Sequence, residues 1–571
     1  MKHTKKLAAI LLSLAMVLIT AMPAFAQGTL YSITIENETP GHIYEAYQIF
    51  AGDMASDDEG NYILSNIVWG SGVNGEELLT ALQTADADKY GDLTTAAETA
   101  EAIGTSSAEA DAFATIAAQH LTETKTESTA GNGSYVISGL EAGYYLIIDK
   151  ENSLEGSASV YTDYIVQVLG NVTMQPKDTD IPTIEKKVWE DDDADSSSGF
   201  GNGYYEAADH SIGETIPFKL IGLIPDMSGY DSYTYIFHDT QSAGLTLDAN
   251  SFKVYLVNDP DTDLDTLTPL NNEGNQYYSI NTNPGNGETF TVSFSDLKTI
   301  PDVTDNSYIV VSYSAKLNEN AETGRQEGNP NEVYLEFSNN PNGEGLGKTE
   351  KQYVIVFTYT LNGLKYDGKS DSNDINARLE GAQFVLLNSS MDKVALVSNS
   401  GTFIEWVDLP GDAASYADVT FEEWDGMYAE DSDRDVIRTS VSNGIVRISG
   451  LDDDEYYLLE IKAPEGYNLL KDPVKISITS VLQHVNFYGN NQDQILTDLY
   501  AVLNDDIENP LHCSMLGGGT VTVPIANLSG ITLPETGGFG ATVFYIIGGV
   551  LLAGACVLLI IRKNMKTENK Q

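Results

Sequence analysis

Apolar and polar residues alternate with a period of two over many short stretches of this chain, and that pattern confines it to β-sheet. The opening stretch, Leu30-Tyr31-Ser32-Ile33-Thr34-Ile35, alternates as a half-buried strand should. Leu140 to Asp149 and Tyr161 to Leu169 also read as strands. Strand patterning resumes at Ile184 and continues past Phe337, cut by Asn-Pro, Asp-Pro and Gly-Asn turn pairs, which together indicate a β-sandwich. Residues Gly75 to Thr122, rich in Ala, Glu, Leu and Thr, predict helices instead. The expected class is mostly β, with tandem sandwich domains and a helical insert in the first.

The two ends carry different signals. Lys2, Lys5 and Lys6, the apolar run from Leu7 to Ile19, and Ala24-Phe25-Ala26 match the three parts of a secretory signal. The mature chain is expected to begin near Gln27. At the other end, Leu533-Pro534-Glu535-Thr536-Gly537 precedes an uncharged run from Ala541 to Ile561. That run is about 20 residues long, enough for one membrane crossing. Arg562, Lys563, Lys566 and Lys570 follow and place this end on the cytoplasmic side. Between the ends lie roughly 500 residues, room for about three domains. Pro176 and Pro182 mark a linker at 173–183, and a Gly- and Asn-rich junction covers 339–351. The expected division is a signal peptide at 1–26, domains at 27–177, 178–346 and 350–530, and an anchoring tail at 531–571.

Charge and cysteine usage exclude some functions. Acidic residues number 84 against 30 basic, a formal net charge of -54, which repels nucleic acid. With 32 Tyr and 17 Phe the chain is no disordered acidic tail. Of the two cysteines, Cys513 and Cys556, the second lies in the apolar tail. The exported part therefore cannot form an internal disulfide and must gain toughness elsewhere. The seven histidines are scattered and suggest no metal site. Asp191 to Asp195 and Asp259 to Asp265 lack the ligand spacing of a calcium loop and read as solvated turns. Neither G-x-S-x-G nor H-E-x-x-H occurs, so neither an enzyme nor a cofactor is expected.

The chain resembles a sortase-assembled Gram-positive pilin, specifically a backbone (shaft) subunit, over nearly its whole length. The resemblance rests on the 533–537 pentapeptide with its tail. It rests also on Pro182-Thr183-Ile184-Glu185-Lys186-Lys187-Val188 and Tyr334-Leu335-Glu336-Phe337-Ser338-Asn339-Asn340-Pro341, which look like the ends of a middle pilin domain. Gly381-Ala382-Gln383-Phe384 and Glu460-Ile461-Lys462-Ala463-Pro464-Glu465-Gly466-Tyr467 look like a Cna B-type domain. The resemblance implies tandem Ig-like sandwiches of the Cna type and a structural role. It implies as partners a sortase, identical pilin subunits, minor pilins and peptidoglycan. A sortase cysteine would attack the carbonyl of Thr536, release Gly537 and all that follows, and pass the thioester to an amine. The family's acceptor lysine lies in a Tyr-Pro-Lys motif at the end of the first domain; here Gln175-Pro176-Lys177 holds that place, with Gln175 for the tyrosine. One acceptor and one donor per copy make a head-to-tail contact that grows into a filament. A monomeric wall-anchored adhesin is the competing reading of the same signals.

Pilins without disulfides commonly join a Lys amine to an Asn side chain within a domain, beside a buried acid. By that resemblance the middle domain would use Lys186, Asp239 and Asn339. The period of two places Lys186 in phase with Ile184 and Val188, and Asn339 in phase with Val333, Leu335 and Phe337. Lys187 and Asn340 are then expected to face outward. The third domain would use Lys365, Glu460 and Asn527, with Asn509 as the rival of Asn527. Asp239 and Glu460 would be the autocatalytic acids. In the first domain Asp149 stands at the acid position but Gln48 replaces the lysine, so no bond is expected there.

Overall fold

The alternation is realised as pleated burial in strand after strand. The computed structural model describes residues 29–57, 60–103, 107–131, 133–161, 163–175, 181–191, 203–324, 327–341, 345–483, 495–513, 518–530 and 540–568. The N-terminal unit contains β1 (Tyr31–Ile35), β2 (Tyr44–Ser56), β3 (Tyr62–Trp69), α1 (Gly75–Ala85), α2 (Ala96–Ala102), α3 (Ser107–Ala118), β4 (Tyr135–Leu140), β5 (Gly143–Asp149), β6 (Asp163–Val168) and β7 (Val172–Met174). One sheet runs β4-β1-β7, with β7 parallel to β1; the other runs β3-β2-β5-β6. On β5, Tyr145 and Ile147 enter the core between the sheets with Ile33 and Ile137. Leu146 points the other way and packs with Leu78, Leu82, Phe113 and Ala117 of the helices. The helical insert therefore covers the outer face of one sheet, which is why that sheet is apolar on both sides.

The middle unit contains β8 (Ile184–Trp189), β9 (Ala207–Asp209), β10 (Thr215–Leu223), β11 (Tyr235–Gln241), β12 (Phe290–Phe294), β13 (Tyr308–Leu317), β14 (Asn329–Ser338) and β15 (Gln352–Phe357). Its facing sheets run β8-β10-β13 and β9-β15-β14-β11-β12. The third unit contains β16 (Tyr359–Asp367), β17 (Gln383–Leu387), β18 (Ile445–Leu451), β19 (Glu455–Lys462), β20 (Val474–Leu482) and β21 (Thr520–Asn527). Here β18-β16-β21 faces a larger sheet that includes β17-β19-β20, and β21 runs parallel to β16. The chain is thus mostly β, in tandem sheet units. After them, α4 (Gly540–Glu568) includes the stretch Tyr545–Arg562, long and apolar enough to cross a membrane.

The structure moves one expected boundary. Residues 352–357 were assigned with the third domain, beginning at 350, but β15 pairs with β14 and β9 in the middle sheet. The reason is that β15 is buried on both faces. Val354 and Val356 enter the middle core, while Ile355 and Phe357 enter the third. On β9, Ala208 and Ala207 divide in the same way. One strand pair therefore serves two cores, and the units share a seam without a free linker between them.

Adjacent substitutions on β15 should report on different cores. Val354→Ala should cost about 2 kcal/mol and raise hydrogen exchange in β11 and β14. Ile355→Ala should cost about 2–5 kcal/mol and raise exchange in β16 and β18. Identical exchange patterns in the two variants would contradict this division.

Candidate functional site

The third unit brings a lysine, a carboxylate and an asparagine together from three strands. Lys365 points inward from β16, and Asn527 ends the neighbouring parallel strand β21. Glu460 reaches them from β19 of the opposite sheet. Lys365 Nζ is 2.5 Å from Asn527 Oδ1 and 3.0 Å from Glu460 Oε1. Asn527 Nδ2 donates to both Glu460 oxygens at 3.0 Å and to the Asn468 carbonyl at 3.0 Å. The Leu470 amide donates to Glu460 Oε2 at 2.8 Å. Lys365, Glu460 and Asn527 are 0%, 2% and 1% exposed, so water does not solvate the amine. Burial depresses the Lys365 pKa, although the Glu460 carboxylate pulls it upward. Asn509 lies elsewhere: it is exposed and bonds to Asp506 at 3.0 Å.

The middle unit builds a second such group, with one partner different from the expected one. Lys186 on β8 is 2.5 Å from Asp239 Oδ2 on β11. Its Nζ also lies 2.5 Å from Asn331 Oδ1, at the start of β14, and 3.2 Å from the Glu332 carbonyl. Tyr313 on β13 connects the other two. Its hydroxyl donates to Asp239 Oδ2 at 2.9 Å and accepts from Asn331 Nδ2 at 2.9 Å. All four side chains are buried. Burial pushes the Lys186 amine down to about 8, against the attraction of Asp239. Burial likewise raises the Asp239 carboxyl, against the lowering effects of Lys186 and Tyr313. Both shifts favour the uncharged pair.

Asn339 is therefore not the partner of Lys186. Asn331 and Asn339 lie on the same face of the same strand direction, so alternation cannot separate them. Register does: Asp239 pairs with Val333 and Gln241 with Asn331, whereas Asn339 lies beyond Phe337, the partner of Tyr235. Eight residues of strand put the two asparagines about 26 Å apart. Asn339 instead binds the N-terminal unit. Its Nδ2 donates to the carbonyls of Leu154 and Ser159, both at 3.1 Å, and its carbonyl accepts from the Tyr161 amide at 2.7 Å. Lys187 also departs from expectation. It is buried on the opposite face of β8, with Nζ 2.5 Å from Glu206 Oε1 and 3.2 Å from Glu185 Oε2.

In the N-terminal unit, Asp149 is buried and meets His42 Nδ1 at 2.7 Å. Gln48 donates from Nε2 to the Ala142 carbonyl at 3.3 Å. Gln175 bonds to Glu36 at 3.1 Å. Lys177, the pentapeptide Leu533, Pro534, Glu535, Thr536 and Gly537, and the N-terminal signal all lie outside the described residues.

These features define a class: a mostly β protein of tandem sheet units with buried lysine–acid–asparagine groups. Within it, residues 367–492 match the family described as the SpaA prealbumin-like fold domain. Solved structures similar to the whole chain include the T6 backbone pilin of serotype M6 Streptococcus pyogenes, at 18% identity and a TM-score of 0.48, covering 89% of this chain and 100% of that one. The major pilin SpaD of Corynebacterium diphtheriae is similar at 17% identity and 0.42, covering 89% and 100%. The major pilin BcpA of Bacillus cereus is similar at 14% identity and 0.34, covering 88% and 100%. No curated protein matches the chain.

The depressed Lys186 pKa has a measurable sign. In Asn331→Ala the amine stays free and buried. Between about pH 8 and the ordinary lysine value near 10.5 the unfolded chain then binds more protons than the folded one. The thermal midpoint of Asn331→Ala should rise with pH through that window, relative to a Lys186→Met/Asn331→Ala double variant. Parallel pH curves for the two would refute it.

Proposed function

We propose that the chain is the shaft subunit of a covalent surface pilus, hardened by an internal Lys–Asn bond in each of its middle and third units. The observation that carries this reading is the meeting of a buried amine, acid and amide in both units. In each bond the neutral Nζ attacks the Asn side-chain carbon. A C–N bond forms, and the original Cγ–Nδ2 bond breaks. One proton moves from Nζ to Nδ2, which leaves as ammonia. Glu460 touches both nitrogens and can carry that proton itself. Asp239 touches only Nζ, so the Tyr313 hydroxyl completes the path to Asn331 Nδ2. The fold supplies the positioning that a bimolecular encounter would lack. The joined residues lie 145 and 162 positions apart. By analogy with disulfides, closing loops of that length adds about 5 kcal/mol per unit.

Polymerisation is the second part of the proposal. Sortase cleavage after Thr536 would create the donor, and Lys177 of the next subunit would accept it. Wall attachment to peptidoglycan would be the last transfer, and minor pilins would join the same polymer. The adhesin alternative shares every feature except an acceptor lysine.

The mature chain should be lighter than its sequence by the mass of two ammonia molecules. Asn331→Ala and Asn527→Ala should each restore one of these, and Asn339→Ala neither. Tyr313→Phe should slow the middle loss and leave that of the third unit intact. An unmodified mass in the wild type would end the crosslink proposal. Separately, Lys177→Ala should abolish the high-mass ladder on a denaturing gel while leaving export and wall attachment. A ladder that persists would favour a different acceptor, and no ladder in the wild type would favour the adhesin.

A further inference from the structure

Gln241 adjoins the middle crosslink group but carries no proton in it. It ends β11, two residues after Asp239, and so points to the same face of the strand. It pairs directly with Asn331 of β14, and its backbone amide donates to Thr289 Oγ1 at 2.8 Å. Its side-chain amide lies against the Tyr313 hydroxyl and pulls the pKa of that group down. Neither Nε2 nor Oε1 is open to water, and neither makes another hydrogen bond among the described residues. A buried amide with so few partners costs stability, and this one stands where Tyr313, Asp239 and Asn331 meet.

The Tyr313 ring is clamped by aromatic neighbours. It stacks on Phe218 and Phe252, with centroids 5.3 and 5.7 Å away, and meets Phe290 edge-on at 4.8 Å. What remains to be set is the direction of its hydroxyl. That oxygen has one proton and two lone pairs. The proton goes to Asp239 Oδ2, and one lone pair accepts from Asn331 Nδ2. The second lone pair can only accept, so the N–H end of the Gln241 amide is the one that fits it. Burial and the Asp239 charge hold the Tyr313 hydroxyl well above its usual range, and the amides of Asn331 and Gln241 work against that rise.

We infer that Gln241 is a positioning residue for the middle crosslink, its amide N–H holding the Tyr313 oxygen in place for the proton transfer that releases ammonia. The inference rests on the Lys–Asn bond proposed for this unit. In that reaction the neutral Lys186 Nζ attacks Asn331 Cγ, which becomes tetrahedral. The Nδ2 lone pair is then no longer shared with the carbonyl, and Nδ2 turns from donor to acceptor. The protonated Asp239 gives its proton to the Tyr313 oxygen while the Tyr313 hydroxyl proton moves to Nδ2. Asp239 recovers a proton from Nζ. The Cγ–Nδ2 electron pair leaves with ammonia, and the carbonyl reforms. During this exchange the Tyr313 oxygen gains negative character, which a bond from Gln241 stabilises. The third unit needs no such residue, because Glu460 touches both nitrogens itself.

The full chain is made by cell-free synthesis in detergent with Asn527→Ala, so that only the middle unit can lose ammonia. Intact mass is followed against time once translation is stopped. Gln241→Met, an apolar side chain of similar length, should slow the loss about tenfold, the worth of one hydrogen bond in the transition state. In a Tyr313→Phe background the same substitution should change the rate no further. With Asn331→Ala in place of Asn527→Ala, Gln241→Met should leave the rate of the third unit unaltered. In those chains it should not lower the thermal midpoint either, since replacing a poorly bonded amide by an apolar group is close to neutral. A middle unit that closes at full speed in Gln241→Met would overturn the inference and leave the Lys–Asn bond standing. Slowing that persists in the Tyr313→Phe background, slowing of the third unit, or a fall in the midpoint would make Gln241 a packing residue and overturn the inference as well. No ammonia loss in any chain would overturn both the inference and the crosslink.

Discussion

An ammonium group taken out of water loses several kcal/mol of solvation, and the middle and third units each place one in a dry sandwich. The arrangement of both sandwiches follows from how that cost is met. Lys186 and Lys365 each come from the first strand of their unit, β8 and β16. Each meets an acid and an asparagine on other strands, and in the third unit the acid comes from the opposite sheet. The three groups can therefore meet only once the sheets are paired and packed in register. Until then the lysine is an ordinary solvated amine. Afterwards burial shifts it toward its neutral form, which is the form that can act as a nucleophile. The geometry a Lys–Asn bond would need is thus complete only in the folded chain, and a bond formed there would lock the fold that made it.

The same logic of burial governs the seam. β15 is apolar on both faces because each face closes a different core. Two sandwiches that share a strand cannot hinge freely about a linker, and polar groups caught between them must find partners there. Ser211 and the Gly450 carbonyl do so directly. The carboxylates of Asp209, Asp452 and Asp453 converge instead. The Gly450 backbone sits at φ +87°, and a Cβ there would meet Ile212 Cδ1 at 2.6 Å, so the turn carrying Asp452 can approach this closely only with glycine.

The sequence exposes these features unevenly. The alternating strands and the helical insert were legible because periodicity and composition are local. Lys365, Glu460 and Asn527 were legible as candidates through the family resemblance, which their places on recognisable strands let one map onto this chain, and the structure brings them within bonding distance. Asn331 was not, because it shares its face with Asn339 and only the register against β11 separates them. The Asn329-Pro330-Asn331 start of the alternating run was the available signal. β15 was assigned to the wrong unit because a strand buried on both faces shows a continuous apolar run, Val354 to Phe357, with no period to say which sheet it joins. The acidic seam escaped notice for a different reason. Its members are far apart in the chain, and each alone looks like a solvated turn.

Crosslinks at these positions would divide a pulled chain unequally. Tension entering near Lys177 would cross from Lys186 directly to Asn331, and in the third unit from Lys365 directly to Asn527 before leaving at Thr536. The backbone inside each closed loop would carry none of it. Residues 332–364 lie between the two loops and would carry all of it, and they include most of β14, all of β15 and the start of β16. The shared strand thus lies in the stretch between the loops that neither bond would shield, so pairing it into the middle sheet and burying both its faces matters mechanically.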